Sequence, residues 1–175
     1  MARLNYREGS DEPEIANLIE GIKAKRGGNL PYLFQLLLHN PKIAEAWFYF
    51  MSAIRGASVL DGQIREIVIL HVAGLMSADY PINDHVPIAL GEGVPQEKID
   101  AVPNWRSIDL FDARERVALA YAEAMTQDVQ VPSAVFADLK EQFNETEIVE
   151  LSVLTGAYNM VARFLEALEV DLEPT

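Results

Sequence analysis

The sequence predicts an all-α protein of about seven to nine helices in one domain. Apolar residues recur at three- and four-residue spacing along most of the chain, which is the period of an amphipathic helix. No pair of alternating apolar and polar segments flanks a hairpin turn, so strands are not expected. Asp, Asn and Ser also stand just before several of the apolar runs, where helix N-caps are found. Half of the 175 residues are hydrophobic, which is enough for one compact core.

The first part of the chain contains signals for two helices and a short apolar segment between them. Pro13 suits the first turn of a helix over residues 12–25, and Gly27 and Gly28 would end it. The apolar segment covers residues 31–38. Asn40 followed by Pro41 then predicts an N-cap and a helix that continues to about residue 55.

The most informative helix is predicted to begin at the segment Ser58–Asp61. Ser58 and Asp61 fit a capping box. Apolar residues and one histidine then recur at helical spacing, so one face must be buried: Ile64, Ile67, Val68, His71 and Leu75. The pattern breaks over residues 77–81 and resumes through His85 to Gly91, which predicts a tight junction and a second, shorter helix with Pro81 in its first turn.

The second half of the chain repeats the same kinds of signal. Pro95 precedes a short helix, and Asp112 with Glu115 forms a capping-box pattern for a helix that ends near residue 127. Pro132 begins the next helix. The last and longest helix is predicted to start near Asn144 and to run towards residue 168.

Composition excludes several classes of function. The formal net charge is −13, with 14 Lys and Arg against 27 Asp and Glu, so no nucleic-acid partner is expected. Because there is no cysteine, the chain cannot form disulfides, thiolate metal sites or a peroxidase thiolate. We expect no membrane span and a cytoplasmic location. An anionic substrate would need local arginines to offset the overall field.

The segment from Arg65 to His85, REIVILHVAGLMSADYPINDH, resembles the signature of the carboxymuconolactone decarboxylase and alkylhydroperoxidase-D superfamily. In the peroxidase branch, the signature has a glutamate, a Cys-x-x-Cys pair twelve and fifteen residues later, and a histidine four residues beyond. In this chain the glutamate falls on Glu66 and the histidine on His85, whereas the cysteine positions hold Ala78 and Pro81. The chain therefore resembles the cysteine-free branch.

The resemblance extends over residues 40 to 170, because three further segments also look like cysteine-free members: Val86–Ala89, Gly93–Pro95 and Tyr158–Phe164. It implies a compact helical fold that assembles as a homotrimer or homohexamer, with sites near the subunit contacts. Residues 41–175 would form the family domain, and residues 1–40 an N-terminal helical extension.

The resemblance also implies decarboxylation of a small unsaturated acid or lactone in aromatic compound catabolism, without metal or organic cofactor. Such a reaction needs a proton donor, a donor for the developing oxyanion, and a cation for a carboxylate. His85 is the candidate acid, because imidazole titrates near neutral pH, and Glu66 is its candidate partner. The substrate-binding candidates are Tyr80 and Asn83 for the oxyanion, with Arg65 and Arg163 for a carboxylate.

Three alternatives to decarboxylation are considered. The same pair could transfer protons without loss of carbon dioxide, as in an isomerase or hydratase. The scaffold could instead be a non-catalytic oligomeric binding protein. Peroxiredoxin-like oxidoreductase activity is associated with the superfamily, but the missing cysteines argue against it. His71, on the apolar line, is expected to be a core histidine, and the aromatic run of residues 47–50 is expected in the core or at a subunit interface.

Overall fold

The structure, a computed structural model, describes residues 1–174 and contains within them nine α-helices, one 3-10 turn at Val102–Asn104 and no strand. The all-α prediction is confirmed. The helices are α1 (Pro13–Lys25), α2 (Tyr32–Leu37), α3 (Pro41–Gly56), α4 (Gly62–Leu75), α5 (Asp79–Gly91), α6 (Gln96–Ala101), α7 (Ala113–Gln127), α8 (Ser133–Gln142) and α9 (Glu145–Leu168).

Most helix starts lie where the local cap signals predicted them. Asn40 caps α3, and its side-chain oxygen accepts a hydrogen bond from the backbone N–H of Ile43 at 3.3 Å. At α7 the predicted capping box is confirmed, because Asp112 and Glu115 each accept the other's backbone N–H at 2.8 Å. These interactions satisfy N–H groups that the first turn of a helix leaves without a partner.

The capping box predicted at Ser58 and Asp61 is wrong. Asp61 is itself the N-cap of α4, and its carboxylate accepts the backbone N–H groups of Gln63 and Ile64. Ser58 lies ahead of the helix, and its hydroxyl donates to Glu150 at 2.6 Å. Serine and aspartate are equally good N-caps, so spacing alone could not decide which of them begins the helix.

The chain divides into two compact units. The first unit contains residues 1–57 together with the chain from Leu165 onward, and the second contains Ser58–Phe164. The division after residue 40 inferred from the resemblance stays a prediction.

The first unit is built around apolar faces of three helices. α1 buries an isoleucine on every third or fourth residue, which is the spacing of one helical face, and α2 and α3 add an aromatic and an aliphatic surface: Ile15, Ile19, Ile22, Phe34, Leu36, Leu37, Ala44 and Met51. Within the aromatic run of α3, Trp47 and Phe48 are half-buried, whereas Tyr49 and Phe50 are exposed. Exposed aromatic residues are compatible with the predicted interface role, which stays a prediction.

The second unit is organised around α4, which packs against both α5 and α7. Every residue from Glu66 to Ala73 is buried. A helix that is apolar all round is found inside a protein, not at its surface, which matches this placement. The core around α4 also includes buried residues from the neighbouring elements: Ala89, Val94, Ile99, Trp105, Phe111 and Leu119. Polar side chains within this stretch, such as Glu66 and His71, are therefore buried in the core.

α9 is the one helix of residues 1–174 that is long and apolar enough, by length and composition, to cross a membrane. It packs against protein: Ser152 and the hydroxyl of Tyr121 on α7 are 2.7 Å apart, and Asn159 donates to Thr126 at 2.9 Å. Buried residues recur along it at helical spacing, including Leu151, Leu154, Tyr158, Val161 and Ala162. The core helix of a protein can meet the same criterion of length and composition.

Glu150 of α9 holds the segment that leads into α4. Its carboxylate accepts the Ser58 hydroxyl and the backbone N–H groups of Val59 and Leu60, the last at 2.9 Å. Burial alone would raise the pKa of Glu150, but these hydrogen bonds outweigh that effect and lower it.

Replacing this carboxylate should therefore destabilise the protein. We expect Glu150→Ala to lower the free energy of unfolding by about 1–2 kcal/mol, because charge-assisted hydrogen bonds to a partly buried segment are lost. Urea unfolding at pH 7 measures the effect, with Glu141→Ala as the control because Glu141 is exposed. Equal stability of the two variants would contradict this role.

Candidate functional site

Two consecutive helices bring Glu66 and His85 into contact in the core of the second unit. His85 Nδ1 and Glu66 Oε2 are 2.6 Å apart. Glu66 is 0% exposed and His85 3% exposed. Glu66 lies in the buried middle of α4, whereas His85 lies on the buried face of α5.

The junction between α4 and α5 sets how the two helices meet. Ser77 has φ of 53°, in the left-handed region, and it reverses the chain directly after α4. The backbone N–H groups of Ser77 and Ala78 return to the carbonyls of Gly74 and Ala73, at 3.1 and 3.0 Å. These bonds satisfy the last carbonyls of α4 and turn α5 back along it.

The second nitrogen of His85 is bound to a tyrosine from α9. The hydroxyl of Tyr158 lies 2.9 Å from His85 Nε2, and the two rings meet edge to face with centroids 5.1 Å apart. Tyr158 is 3% exposed. Glu66, His85 and Tyr158 therefore form one buried hydrogen-bonded chain across α4, α5 and α9.

His85 and Arg65 together keep the Glu66 carboxylate ionised. Arg65 Nε donates to Glu66 Oε1 at 3.1 Å, and its Nη2 donates to Glu92 at 2.6 Å. Burial alone would raise the pKa of Glu66, but the hydrogen bond and charge of His85, followed by those of Arg65, outweigh burial and lower it. Glu66 is thus a carboxylate at neutral pH.

An ionised Glu66 fixes the tautomer of His85. The carboxylate can only accept, so His85 Nδ1 carries the proton that it donates to Glu66. Nε2 of a neutral ring would accept from the Tyr158 hydroxyl, whereas the Nε2–H of an imidazolium would donate to it. The charge of Glu66 therefore fixes the donor only in the contact between His85 Nδ1 and Glu66.

The other sequence-predicted residues occupy different surroundings. Tyr80 is buried in the first turn of α5, whereas Asn83 is exposed. Asn83 precedes His85 by two residues, about 200° around the helix, and so faces away from it. Arg163 is exposed and donates to the side-chain oxygen of Asn159 at 2.7 Å. Arg65 is in hydrogen-bond contact with the Glu66–His85 pair, and both of its carboxylate partners, Glu66 and Glu92, belong to the chain itself.

Tyr158 is the residue to which the sequence assigned no role. It lies 73 residues beyond His85, so local spacing carries no information about the contact. Its position gives one usable signal, because Leu151, Leu154, Tyr158 and Val161 share an apolar helical line. A tyrosine on such a line usually finds a hydrogen-bond partner for its hydroxyl.

The positions that hold cysteines in the peroxidase branch lie at the start of α5. Ala78 is the N-cap residue and Pro81 is in the first turn, both buried. Pro81 precedes His85 by four residues and shares its face of the helix. The region thus retains titratable groups, but neither position offers a nucleophile. No cluster of three or more potential metal ligands occurs within residues 1–174.

His71 is buried on α4, as expected for a core histidine. Its Nε2 lies 3.3 Å from a carboxylate oxygen of Glu123, without the geometry of a hydrogen bond. Burial lowers the pKa of His71, and the charge of Glu123 only partly offsets this. His71 is therefore neutral at pH 7.

Removing the charge of Glu66 should destabilise the second unit. We expect Glu66→Gln to lower the free energy of unfolding by about 3 kcal/mol at pH 7, because it leaves Arg65 and His85 without their shared carboxylate. The folded-state pKa of Glu66 is lowered, so its stabilisation is complete above the unfolded value of about 4.3 and is lost as pH falls through the folded value. The difference between wild type and variant should shrink accordingly in urea unfolding at decreasing pH. Glu166→Gln, at an exposed position, is the control, and a Glu66→Gln protein as stable as this control would refute the interpretation.

A model of the carboxymuconolactone decarboxylase family matches residues 41–124. The uncharacterised protein YnjA of Escherichia coli (strain K12) is 29% identical over 148 residues, which are 83% of this chain and 76% of YnjA.

Two solved structures share the fold over nearly the whole chain. One is an uncharacterised peroxidase-related protein from Ralstonia eutropha JMP134, described as an alkylhydroperoxidase AhpD core, with a TM-score of 0.84 and 21% identity; the match covers 98% of this chain and 92% of that one. The other is the debrominase Bmp8 in complex with 2,3,4-tribromopyrrole, with a TM-score of 0.83 and 19% identity over 99% of this chain and 94% of Bmp8.

The family match includes Glu66 and His85, and the likeness of fold extends to the helices around them. Both agree with the resemblance seen in the segment from Arg65 to His85. The chain is thus similar to the carboxymuconolactone decarboxylase family over residues 41–124, and it shares its fold with an AhpD-like structure.

Proposed function

We propose that this protein is a cofactor-free carboxy-lyase that decarboxylates a small unsaturated acid or lactone by proton transfer through Glu66, His85 and Tyr158. The buried hydrogen-bonded chain of these three residues supports the proposal most directly, with contacts of 2.6 and 2.9 Å on the two nitrogens of His85. The similarity to the carboxymuconolactone decarboxylase family over residues 41–124 suggests the reaction type.

The three hydrogen-bonded residues have the parts of a proton relay. Glu66 accepts the Nδ1 proton of His85 and stabilises the imidazolium that forms when Nε2 is also protonated. In that state Nε2–H donates to the oxygen of Tyr158, which leaves the phenolic proton free to be donated onward. A proton can thus pass from His85 to a substrate through Tyr158.

Decarboxylation would use that proton once in each turnover. The bond between carbon and the carboxylate breaks, carbon dioxide leaves, and the electron pair moves into the conjugated carbonyl. Tyr158 then gives its proton to the resulting carbanion-like carbon while Nε2 of His85 returns a proton to the phenolic oxygen. Water reprotonates His85 and completes the cycle.

The remaining candidates take supporting roles in this proposal. Arg65 acts as a positioning residue, because Glu66 and Glu92 occupy its guanidinium. Arg163 is assigned to a substrate carboxylate, since its present partner is a neutral amide and not an acid. Tyr80 and Asn83 are assigned to the carbonyl oxygen.

Asn83 and Arg163 are exposed, so we propose a homotrimer or homohexamer in which they line a site near a subunit contact. We also propose a cytoplasmic location.

One observation favours a second candidate, a non-catalytic oligomeric binding protein. Glu66, His85 and Tyr158 are almost completely buried, and a buried polar network can serve only to fix how helices pack. In that case the network of these three residues would be a structural element that transfers no proton to a ligand.

Measuring released carbon dioxide from a panel of unsaturated lactone acids separates these functions. With a substrate that turns over, we expect Tyr158→Phe and His85→Ala to lower kcat about 10²- to 10⁴-fold, the range of general acid–base catalysis. Tyr121→Phe is the matched control, because it also removes a buried hydroxyl with one hydrogen-bonded partner, Ser152. Its kcat should stay within about twofold, since a hydroxyl outside the relay carries no proton to substrate.

Each other outcome points to a different function. Turnover without carbon dioxide would identify an isomerase or hydratase. Full activity of both Tyr158→Phe and His85→Ala would reject the relay. No turnover of any panel member, with folded wild-type protein, would favour the binding protein.

A further inference from the structure

A cavity of about 270 Å³ opens in the first unit where α1 and α3 end. Lys25 is the last residue of α1 and Arg26 is its C-cap, whereas Arg55 lies in the last turn of α3. The lining consists of these cations and three uncharged residues: Lys25, Arg26, Met51, Ser52, Arg55 and Gly56. No acidic side chain is among the lining residues.

This concentration of positive charge is unusual for the chain. Acidic residues outnumber basic ones by 27 to 14, yet three basic residues and no acidic residue line this one cavity. Such a site reverses the sign of the surrounding field locally, which an anionic ligand requires in a protein of net charge −13.

Two of the three cations are available for a ligand. Lys25 and Arg55 form no ion pair with any carboxylate in residues 1–174. The neighbouring Lys23, also on α1, contrasts with them, because it pairs with Glu20 at 3.2 Å. Glu20 thus neutralises Lys23, which lies outside the cavity, whereas Lys25, which lines it, has no ion pair within the described part of the chain.

Helix dipoles account for part of this pattern. Basic residues are stabilised in the last turn of a helix, where both Lys25 and Arg55 lie. That effect explains why each helix ends in a cation. It does not require two helix ends to direct their cations into a shared concave site with a serine and a buried methionine.

We propose that this cavity binds a small oxyanion with at least two negative charges, of the phosphate or dicarboxylate type. The planar guanidinium of Arg55 suits two oxygens of one such group, and Lys25 adds a point charge. Ser52 supplies a hydroxyl donor and Met51 an apolar floor. The volume lies just below the usual range of drug-sized pockets, so the ligand is small.

The site is separate from the proposed relay, because every lining residue belongs to the first unit and Glu66, His85 and Tyr158 belong to the second. It therefore does not depend on the proposed reaction. A binding measurement tests it without any substrate turnover.

Isothermal titration of the full chain with inorganic phosphate, and separately with malonate, tests the proposal. We expect saturable binding at one site per chain, which weakens as ionic strength rises. Arg55→Ala should weaken binding about tenfold or more and Lys25→Ala by a smaller factor, because each removes one charged donor. Arg55→Lys should retain more affinity than Arg55→Ala, since it restores the charge without the fork.

Lys42→Ala is the matched control. It removes the same charge from α3 but lies in the first turn, outside the cavity, so it should bind like wild type. Tighter binding of phosphate or of malonate identifies which oxyanion chemistry the site prefers. Absence of saturable binding for both probes, or equal affinity of folded Arg55→Ala and Lys42→Ala, would overturn the proposal.

Discussion

The architecture of the second unit depends on one buried charge, the carboxylate of Glu66 in an otherwise apolar stretch of α4. A carboxylate without partners in such a place would be strongly unfavourable. Here one oxygen accepts from Arg65 and the other from His85. α5 must therefore pack against α4 in a position that keeps His85 Nδ1 within hydrogen-bond distance of Glu66. Through Nε2 of the same ring, the position of Tyr158 on α9 is constrained as well.

Local signals explain why most of the fold could be predicted from the sequence. An N-cap or capping box acts within four residues, so Asn40, Asp112 and Asn144 predicted the starts of their helices. The failure at Ser58 has the same origin, because two good caps stood three residues apart. The hydrogen-bond partner of Ser58 is Glu150, which is 92 residues away, so no local sequence pattern could predict this contact.

The candidate site was only partly predictable for a related reason. Spacing and family resemblance indicated Glu66 and His85, but they could not indicate what else each would contact. Arg65 was expected to hold a substrate, whereas its guanidinium contacts Glu66 and also Glu92, which is 27 residues further along. The contact of Tyr158 depends on the packing of α9 against α5. Long-range contacts of this kind follow from the assembled core and not from a motif.

Ser77 illustrates how a residue can be constrained without making any important side-chain contact. It is exposed, but its backbone is in the left-handed region that turns α4 into α5. Glycine, asparagine and aspartate adopt that conformation readily, whereas β-branched residues rarely do. The substitutions tolerated at this position should therefore depend on how readily the new residue adopts the left-handed conformation, and not on its polarity or size. A surface residue far from any reacting atom thereby limits which sequences can keep His85 in reach of Glu66.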